Sequence, residues 1–190
     1  GGGVGADNTI KDATLYLADL VYSRFKSRFF TDEDIYYYRP ITWVDLNGDG
    51  LDDQIVDVNL EKEEFSVADF GQRITQWAAN QDSDGPLYIY LIDHGGMGSF
   101  ELFPYQIITS EQLNNYLNVF QERTGRPVVV MIEACKSGSF IPGIGQTGQN
   151  RIVITSRREV LRAMAAVPFA LQAQDVPPPN PLFVLSDDHY

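Results

Sequence analysis

In this chain a histidine and a cysteine each follow a predicted buried strand. His94 lies in LYIYLIDHGGMGSF, residues 87–100, and Cys135 lies in VVVMIEACKSGSF, residues 128–140. A thiol reacts as its thiolate, and a neighbouring imidazole can accept its proton. Cysteine and histidine together are therefore the minimum apparatus for acyl transfer, and these two are the first candidates for catalysis.

The glycines beside these side chains meet a second requirement of acyl transfer. Gly95 and Gly96 allow a sharp turn and a close approach to a substrate, and Gly138 can open the loop after Cys135. Backbone N–H groups in such a turn can bind the oxyanion of a tetrahedral intermediate. Each feature alone also fits a structural role, such as a plain turn or a histidine bonded to a carbonyl, but their combination favours catalysis.

The segments around the two motifs predict alternating strands and helices. Short runs rich in β-branched and aromatic residues predict strands over residues 35–39, 87–92, 128–132 and 152–155. Apolar residues at helical spacing predict helices over residues 10–29, over residues 66–78, and from a Thr109/Gln112 capping box to Gly125. Such alternation implies parallel pairing with right-handed crossovers, so the expected fold class is a three-layer α/β/α sandwich with a mainly parallel sheet.

The C-terminal part of the sequence predicts three further segments. Residues 138–149 are rich in glycine without a period and predict an exposed loop. Residues 158–173 predict a helix that a proline kinks or ends, and the prolines at 177–179 predict a stiff spacer before a last strand, LFVLS. No composition break divides the chain, so we expect one domain over residues 1–190, with residues 176–190 as a linker and terminal strand.

The predicted sheet would bring the histidine and the cysteine together. In parallel α/β sheets, ligands bind at the carboxyl ends of the strands, where loops converge on a rigid frame. His94 and Cys135 follow two such ends, and the segment between them has room for a loop, a helix and a turn. We therefore expect the two residues to meet at one edge of the sheet.

The composition restricts the partners. The 190 residues are 44% hydrophobic and carry a formal net charge of -12, which argues against nucleic acid or an anionic membrane as the main partner because both would be repelled. No apolar run approaches the roughly 20 residues that span a bilayer, so no membrane insertion is expected. Cys135 is the only cysteine, so neither an intramolecular disulfide nor a multi-cysteine metal site is expected.

An acidic loop, DLNGDGLDD at residues 45–53, has the spacing of a calcium-binding loop. Oxygen ligands at alternate positions would come from Asp45, Asn47, Asp49, the Leu51 backbone carbonyl and Asp53. Val56 stands where a calcium loop has its bidentate glutamate, and an acidic turn exposed to water is the alternative. We favour a structural Ca²⁺, which together with the lack of a disulfide suits an extracytoplasmic enzyme, periplasmic or secreted.

The motifs DHGGMG and EACKSGS resemble the catalytic histidine and cysteine motifs of the legumain family. This family comprises the asparaginyl endopeptidases and includes the catalytic subunit of GPI transamidase. The resemblance covers residues 87–155 and implies a caspase-like fold, and the calcium loop suits a bacterial member. It also implies that Cys135 is the nucleophile, that His94 is the general base or acid, and that the backbone N–H groups of Gly95 and Cys135 form the oxyanion hole.

By the same resemblance, a pocket for the residue before the scissile bond lies at Glu133, with Ser156 in its wall and Asp93 beside the catalytic histidine. We expect Asp93 to orient or stabilise the imidazole. Asparagine-specific members carry an arginine before the first helix, whereas this chain has no arginine before Arg24, so the asparagine preference is not implied. Glu133 alone would favour Arg or Lys in the substrate, whereas the two arginines after Ser156, if not solvated, would favour Asn or Asp.

The function predicted from these residues is that of a cysteine endopeptidase, which cleaves a peptide or protein substrate through a thioester and needs no cofactor for its chemistry. A propeptide or an inhibitor is a further expected partner. Two alternatives stay open: a transamidase or ligase, in which an amine replaces water at the thioester, and a non-catalytic calcium-binding module with the same fold.

Overall fold

A computed structural model of the chain gives the structure of residues 8–40, 43–45, 49–59 and 65–156. The predicted helix over residues 158–173, the proline spacer and the last strand lie outside these ranges, as do Asn47 and the two arginines after Ser156. The extent of the single domain therefore stays a prediction.

The N-terminal described segments form a helix and four short strands. Helix α1 covers Lys11–Lys26 and ends before its predicted limit because the backbone turns at Phe29, whose φ is 71°. The strands are β1 Tyr38–Arg39, β2 Trp43–Val44, β3 Asp53–Gln54 and β4 Val58–Asn59. Strand β1 pairs with β4 in parallel, and β2 pairs with β3 antiparallel.

Only the end of the predicted aromatic strand at residues 35–39 enters a ladder. The Tyr37 N–H donates to the carboxylate of Asp57 at 2.8 Å, and the Asp57 N–H donates to the Tyr37 carbonyl at 2.9 Å. An aspartate side chain thus takes the place of a strand partner at this position. Strand propensity describes how well a residue fits a pleated sheet surface, so it does not predict the contact between Tyr37 and Asp57.

The predicted helix that starts at Ser66 is confirmed. The Ser66 hydroxyl accepts the Asp69 N–H at 3.1 Å, and the Asp69 carboxylate accepts the Ser66 N–H at 3.0 Å, which forms a capping box. The helical stretch consists of α2 Val67–Gln72, a π turn Arg73–Trp77 and a 3-10 turn Ala78–Asn80. It leads the chain to the start of the main sheet.

In the described part of the chain, three parallel strands form the main sheet. Strand β5, Leu87–Ile92, precedes a small antiparallel sheet of β6 Gly95–Gly96, β7 Ser99–Phe103 and β8 Gln106–Thr109. Then follow helix α3 Ser110–Thr124, strand β9 Val128–Glu133, helix α4 Ile141–Ile144 and strand β10 Arg151–Thr155. Strand β9 lies between β5 and β10, and both pairings are parallel. The strands predicted over residues 87–92, 128–132 and 152–155 are confirmed, and β9 is the middle strand of the described part.

Helix α3 has both of its predicted end signals. Thr109 and Gln112 form the capping box, with the Thr109 hydroxyl accepting the Gln112 N–H at 3.1 Å. Gly125 ends the helix in the left-handed conformation with φ 68°, which glycine adopts without a steric penalty. Among the described residues, no helix is long and apolar enough to cross a membrane.

Helices cover both faces of the main sheet. One face buries Ile89, Leu91 and the alternate residues of β9 against α3, in a core that contains Leu113, Leu117, Phe120, Val128, Val130 and Ile132. The opposite face packs against α1, where Ile92 and Tyr90 join a second cluster with Ala18, Tyr22 and Tyr37. The α/β fold with a mainly parallel sheet, which the caspase-like resemblance implied, is confirmed.

The prediction of an exposed loop over residues 138–149 was wrong for its first half. Residues Ser137–Phe140 form a 3-10 turn that runs into α4. Phe140 and Ile144 are buried in the core beside α3. The segment has few apolar residues between its glycines, so no helical spacing is visible in the sequence. Burial of Phe140 and Ile144 in the core outweighs the low helix propensity of the glycines.

A buried ion pair ties α1 to β1. Arg39 Nη2 lies 2.8 Å from the Asp19 carboxylate, and the two side chains are 6% and 14% exposed. The Tyr37 hydroxyl donates to the same carboxylate at 2.6 Å. Asp19 therefore satisfies two buried donors and fixes the position of α1 against the strand.

Replacement of Asp19 by alanine should lower the free energy of unfolding by about 3 kcal/mol, because it removes the counter-charge of a buried guanidinium. Urea denaturation followed by circular dichroism measures the loss. Glu122→Ala, which removes an exposed carboxylate from α3, is the matched control and should change stability by less than about 0.5 kcal/mol. Equal losses in the two variants would contradict the role given to Asp19.

Candidate active site

The register of the main sheet places the two motifs side by side. Ile92, the last residue of β5, pairs with Glu133, the last residue of β9. The Asp93 N–H still donates to the Glu133 carbonyl, at 3.3 Å. The chains leading to His94 and to Cys135 therefore leave the sheet at the same edge, as the sequence predicted.

The backbone after His94 lies against the backbone of Cys135. A Cβ atom added to Gly95 would lie 2.8 Å from the Cys135 carbonyl oxygen and 2.8 Å from the Ala134 Cβ. Real Cβ atoms do not approach other atoms so closely, so only glycine fits at this position. The predicted closeness of the two loops thus depends on a residue without a side chain.

The side chains of His94 and Cys135 are both exposed at this edge. No hydrogen bond joins the imidazole to the thiol in the described structure, in which the His94 ring instead contacts Asn8. Catalytic hydrogen bonds are often long or absent without substrate and form in the complex. The exposed thiol is accessible to a substrate, unlike the inert buried cysteine that composition alone would suggest.

Asn8 holds the imidazole from the side of its Nε2 atom. Asn8 Oδ1 lies 3.2 Å from His94 Nε2 and also accepts the Ile10 N–H at 3.0 Å. Asn8 Nδ2 donates to the Asp93 carboxylate at 3.4 Å. These partners fix the amide orientation, because the Ile10 N–H needs an acceptor and the carboxylate needs a donor. Since Oδ1 only accepts, the contact is a hydrogen bond in the His94 tautomer that carries its proton on Nε2.

Asp93 holds the start of the histidine loop. Its carboxylate accepts the backbone N–H of His94 at 2.7 Å in addition to the Asn8 amide. The side chain is half-buried. These two contacts are with its own loop and with Asn8, and its predicted part in substrate binding stays a prediction.

The sequence placed Glu133 and Ser156 in a substrate pocket. Glu133 ends β9, and Ser156 directly follows the neighbouring strand β10 at the same edge. The Ser156 N–H donates to the Ile132 carbonyl at 3.1 Å, next to Glu133. Glu133 is half-buried and Ser156 is exposed. Tyr90 adjoins Glu133 on the same face of the sheet: burial raises the pKa of the Tyr90 phenol, and the negative charge of Glu133 raises it further. The phenol therefore stays protonated beside the carboxylate.

The model of the peptidase C13 family matches residues 61–167, which include both motifs and all three strands of the main sheet. The chain belongs to the peptidase C13 family. This is the legumain family of cysteine peptidases, so the resemblance seen in the two motifs is confirmed. No curated protein matches the chain.

The acidic loop lies outside the residues that match the peptidase C13 model. The Asp45 carboxylate accepts the N–H groups of Asp49 at 3.1 Å and Gly50 at 2.9 Å, and the Asp49 carboxylate accepts the Leu51 N–H at 2.8 Å. Within the described ranges, no three His, Cys, Asp or Glu side chains gather closely enough to hold a metal ion. The proposed set also uses the Asn47 side chain and the Leu51 carbonyl, so the calcium ligands Asp45, Asn47, Asp49, Leu51 and Asp53 stay a prediction.

Asn8 is the site residue that sequence reasoning missed. It is 86 residues from His94 and precedes the first predicted helix without a motif of its own. An asparagine just before a helix usually indicates a cap, and here it does bond the Ile10 N–H. The contact of the same amide with His94 depends on the tertiary structure, so no local pattern predicts it.

Replacement of Gly95 by alanine should lower the free energy of unfolding by about 2 kcal/mol, because the Cys135 backbone and Ala134 must move to make room. Gly85→Ala is the matched control, since its nearest contact would be the Ser83 hydroxyl at 3.5 Å. It should alter stability by less than about 0.5 kcal/mol. Urea denaturation of both variants makes the comparison, and a Gly95→Ala protein as stable as Gly85→Ala would show that the two loops are further apart.

Proposed function

We propose that the chain is a cysteine endopeptidase in which Cys135 and His94 act as a catalytic pair. The observation that carries this proposal is the close approach of the Gly95 backbone to the Cys135 carbonyl, which leaves no room for a Cβ atom between the two loops of a peptidase C13 protein. Both side chains are accessible at the carboxyl edge of the sheet, where α/β proteins bind their ligands.

The proposed reaction starts with transfer of the Cys135 proton to His94. Nδ1 is the proposed acceptor, because the contact with Asn8 suits the tautomer that has its proton on Nε2. The sulfur then forms a bond to the substrate carbonyl carbon, and the carbonyl electron pair moves to oxygen. The backbone N–H groups of Gly95 and Cys135 are the proposed donors to this oxyanion.

Two further steps complete the cycle. Collapse of the oxyanion breaks the peptide C–N bond, and His94 gives its proton to the leaving amine. Water then attacks the thioester, and His94 accepts its proton. The C–S bond breaks to release the acid, and His94 returns the proton to the sulfur, which regenerates the thiol. An amine in place of water would give a new amide bond, which is the transamidase alternative.

The proposed substrate pocket lies between Glu133 and Ser156. The half-buried carboxylate of Glu133 favours a substrate side chain that donates hydrogen bonds, and the protonated phenol of Tyr90 stands next to it. Lys and Arg therefore fit this carboxylate by charge. Asn is accommodated if its amide group donates to Glu133, and Asp is accommodated only with a cation from elsewhere in the chain.

A structural Ca²⁺ in the acidic loop is a further part of the proposal. Its support is the ligand spacing in the sequence together with Gly50, which makes the sharp turn with φ 86°. The ion would tie down the long connection between β2 and β3. An extracytoplasmic location and a propeptide or inhibitor as partner belong to the same proposal.

Cleavage of a peptide library that varies the residue before the scissile bond tests the proposed function. Wild type should cut after one residue class, whereas Cys135→Ala and His94→Ala should each lose at least about 10³-fold in kcat/KM, because the nucleophile and its base act as a unit. Mass spectrometry of the products identifies the cuts, and a product joined to an added amine would identify a transamidase. A chelator should reduce cleavage if the calcium loop supports the fold.

Undiminished cleavage by Cys135→Ala would contradict the peptidase proposal. Absence of any cleavage, together with failure of iodoacetamide to label Cys135 at neutral pH, would instead favour the non-catalytic module. Met97→Ala serves as a control, since it shortens an exposed side chain of the histidine loop that has no proposed role. It should cleave at nearly the wild-type rate.

Replacement of Asn8 by alanine should lower kcat by roughly 10- to 100-fold and leave KM nearly unchanged, because the imidazole loses the group that fixes its tautomer. The expected loss is smaller than the roughly 10⁴-fold loss on altering the charged partner in a serine protease triad, since Asn8 is neutral. Asn115→Ala, at an exposed position of α3, is the matched control. Steady-state kinetics with the best library peptide measures kcat and KM of both variants. A wild-type kcat in Asn8→Ala would contradict a role of Asn8 in positioning the imidazole.

A further inference from the structure

One hydroxyl group bonds to both candidate catalytic loops. The Gly98 N–H donates to Ser139 Oγ at 2.7 Å, and Ser139 Oγ donates to the Lys136 carbonyl at 2.6 Å. Gly98 belongs to the turn between β6 and β7 that follows His94, whereas Lys136 is the residue directly after Cys135. The Ser139 hydroxyl therefore accepts a hydrogen bond from the loop that follows His94 and donates one to the loop that contains Cys135.

Both bonded positions have an unusual backbone conformation. Gly98 has φ 58°, and Lys136 has φ 60° with ψ 20°. The left-handed region is strained for a residue with a side chain, such as Lys136, and such a conformation persists only where its surroundings hold it. The Lys136 carbonyl accepts the Ser139 hydroxyl and also the Ser139 N–H at 3.0 Å, so Ser139 holds the turn that presents Cys135.

Backbone hydrogen bonds connect Gly98 to helix α3 and, through the hairpin, to His94. The Gly98 carbonyl accepts the N–H of Ser110, the first residue of α3, at 2.8 Å. The Glu101 N–H donates to the His94 carbonyl at 3.0 Å, and Gly95 pairs with Phe100 across β6 and β7. A displacement of Gly98 is thus transmitted through this short hairpin to the backbone of His94.

From these contacts we infer that Ser139 is a positioning residue that sets the distance between His94 and Cys135 by bonding the two loops to each other. The inference rests on the proposed peptidase function. Ser139 itself contacts neither of the two catalytic side chains, and its effect passes through the backbone of Gly98 and Lys136. A misplacement of about 1 Å in a catalytic group can cost on the order of 100-fold in rate, so the loss of this bond should appear in kcat.

Three variants test the inference. Ser139→Ala removes both bonds, and Ser139→Thr keeps the hydroxyl. Ser83→Ala is the matched control, because the Ser83 hydroxyl likewise accepts a glycine N–H, that of Gly85 at 3.2 Å, on an exposed loop before β5. The measurements are kcat and KM per folded molecule with the best library peptide, and the amide hydrogen exchange rate of Gly98.

In Ser139→Ala we expect kcat to fall roughly 10-fold or more with KM within about twofold of wild type. Exchange at Gly98 should accelerate at least about 10-fold because its N–H loses its acceptor, while exchange at Val130 in the centre of β9 stays slow. Ser139→Thr should restore kcat to within about threefold of wild type. Ser83→Ala should match wild type in both kcat and exchange at Gly98.

Full kcat in Ser139→Ala would overturn the inference and leave the proposed function intact. Unchanged exchange at Gly98 would also overturn it, because the bond on which it depends would be absent in solution. Failure of the proposed function shows differently, as a wild type without cleavage that depends on Cys135. If Ser139→Thr does not fold, Ser139→Ala alone tests the inference. A lowered kcat together with faster Gly98 exchange would support it.

Discussion

The parallel pairing of β5 with β9 is the constraint on which the candidate site depends. Because Ile92 pairs with Glu133, the residues that follow each strand leave the sheet at one edge and at the same level. A shift of one residue would turn every side chain of a strand to the opposite face, and the buried residues of β9 against α3 forbid it. The position of Cys135 relative to His94 is thus determined by the hydrophobic core.

The core alone does not complete the arrangement, because both reactive side chains stand on loops. Three polar contacts supply the remaining order: Asn8 on the imidazole, Asp93 on the backbone of His94, and Ser139 between the two loops. Glycine at position 95 lets the loops touch. Side chains that do no chemistry therefore make up most of the candidate site.

The sequence predicted those parts of the fold that depend on local signals. The capping box at Thr109 and the left-handed Gly125 follow from side-chain chemistry within one turn of helix, and the buried runs of β5 and β9 follow from composition. The antiparallel sheet of β6, β7 and β8 was not predicted, because Pro104 and Tyr105, with φ 67° at Tyr105, interrupt its alternation. Burial of Phe140 and contact of Asn8 with His94 could not be predicted either, since both depend on partners distant in the chain.

We would first measure the rate at which iodoacetamide alkylates Cys135 at pH 6. This rate shows whether the sheet brings His94 and Cys135 close enough for the imidazole to activate the thiol. An imidazole that accepts the thiol proton keeps the thiolate available at this pH. We expect alkylation in wild type to be at least about 10-fold faster than in His94→Ala, with both proteins equally folded. Equal rates in the two proteins would contradict it, because Cys135 would then react without help from His94.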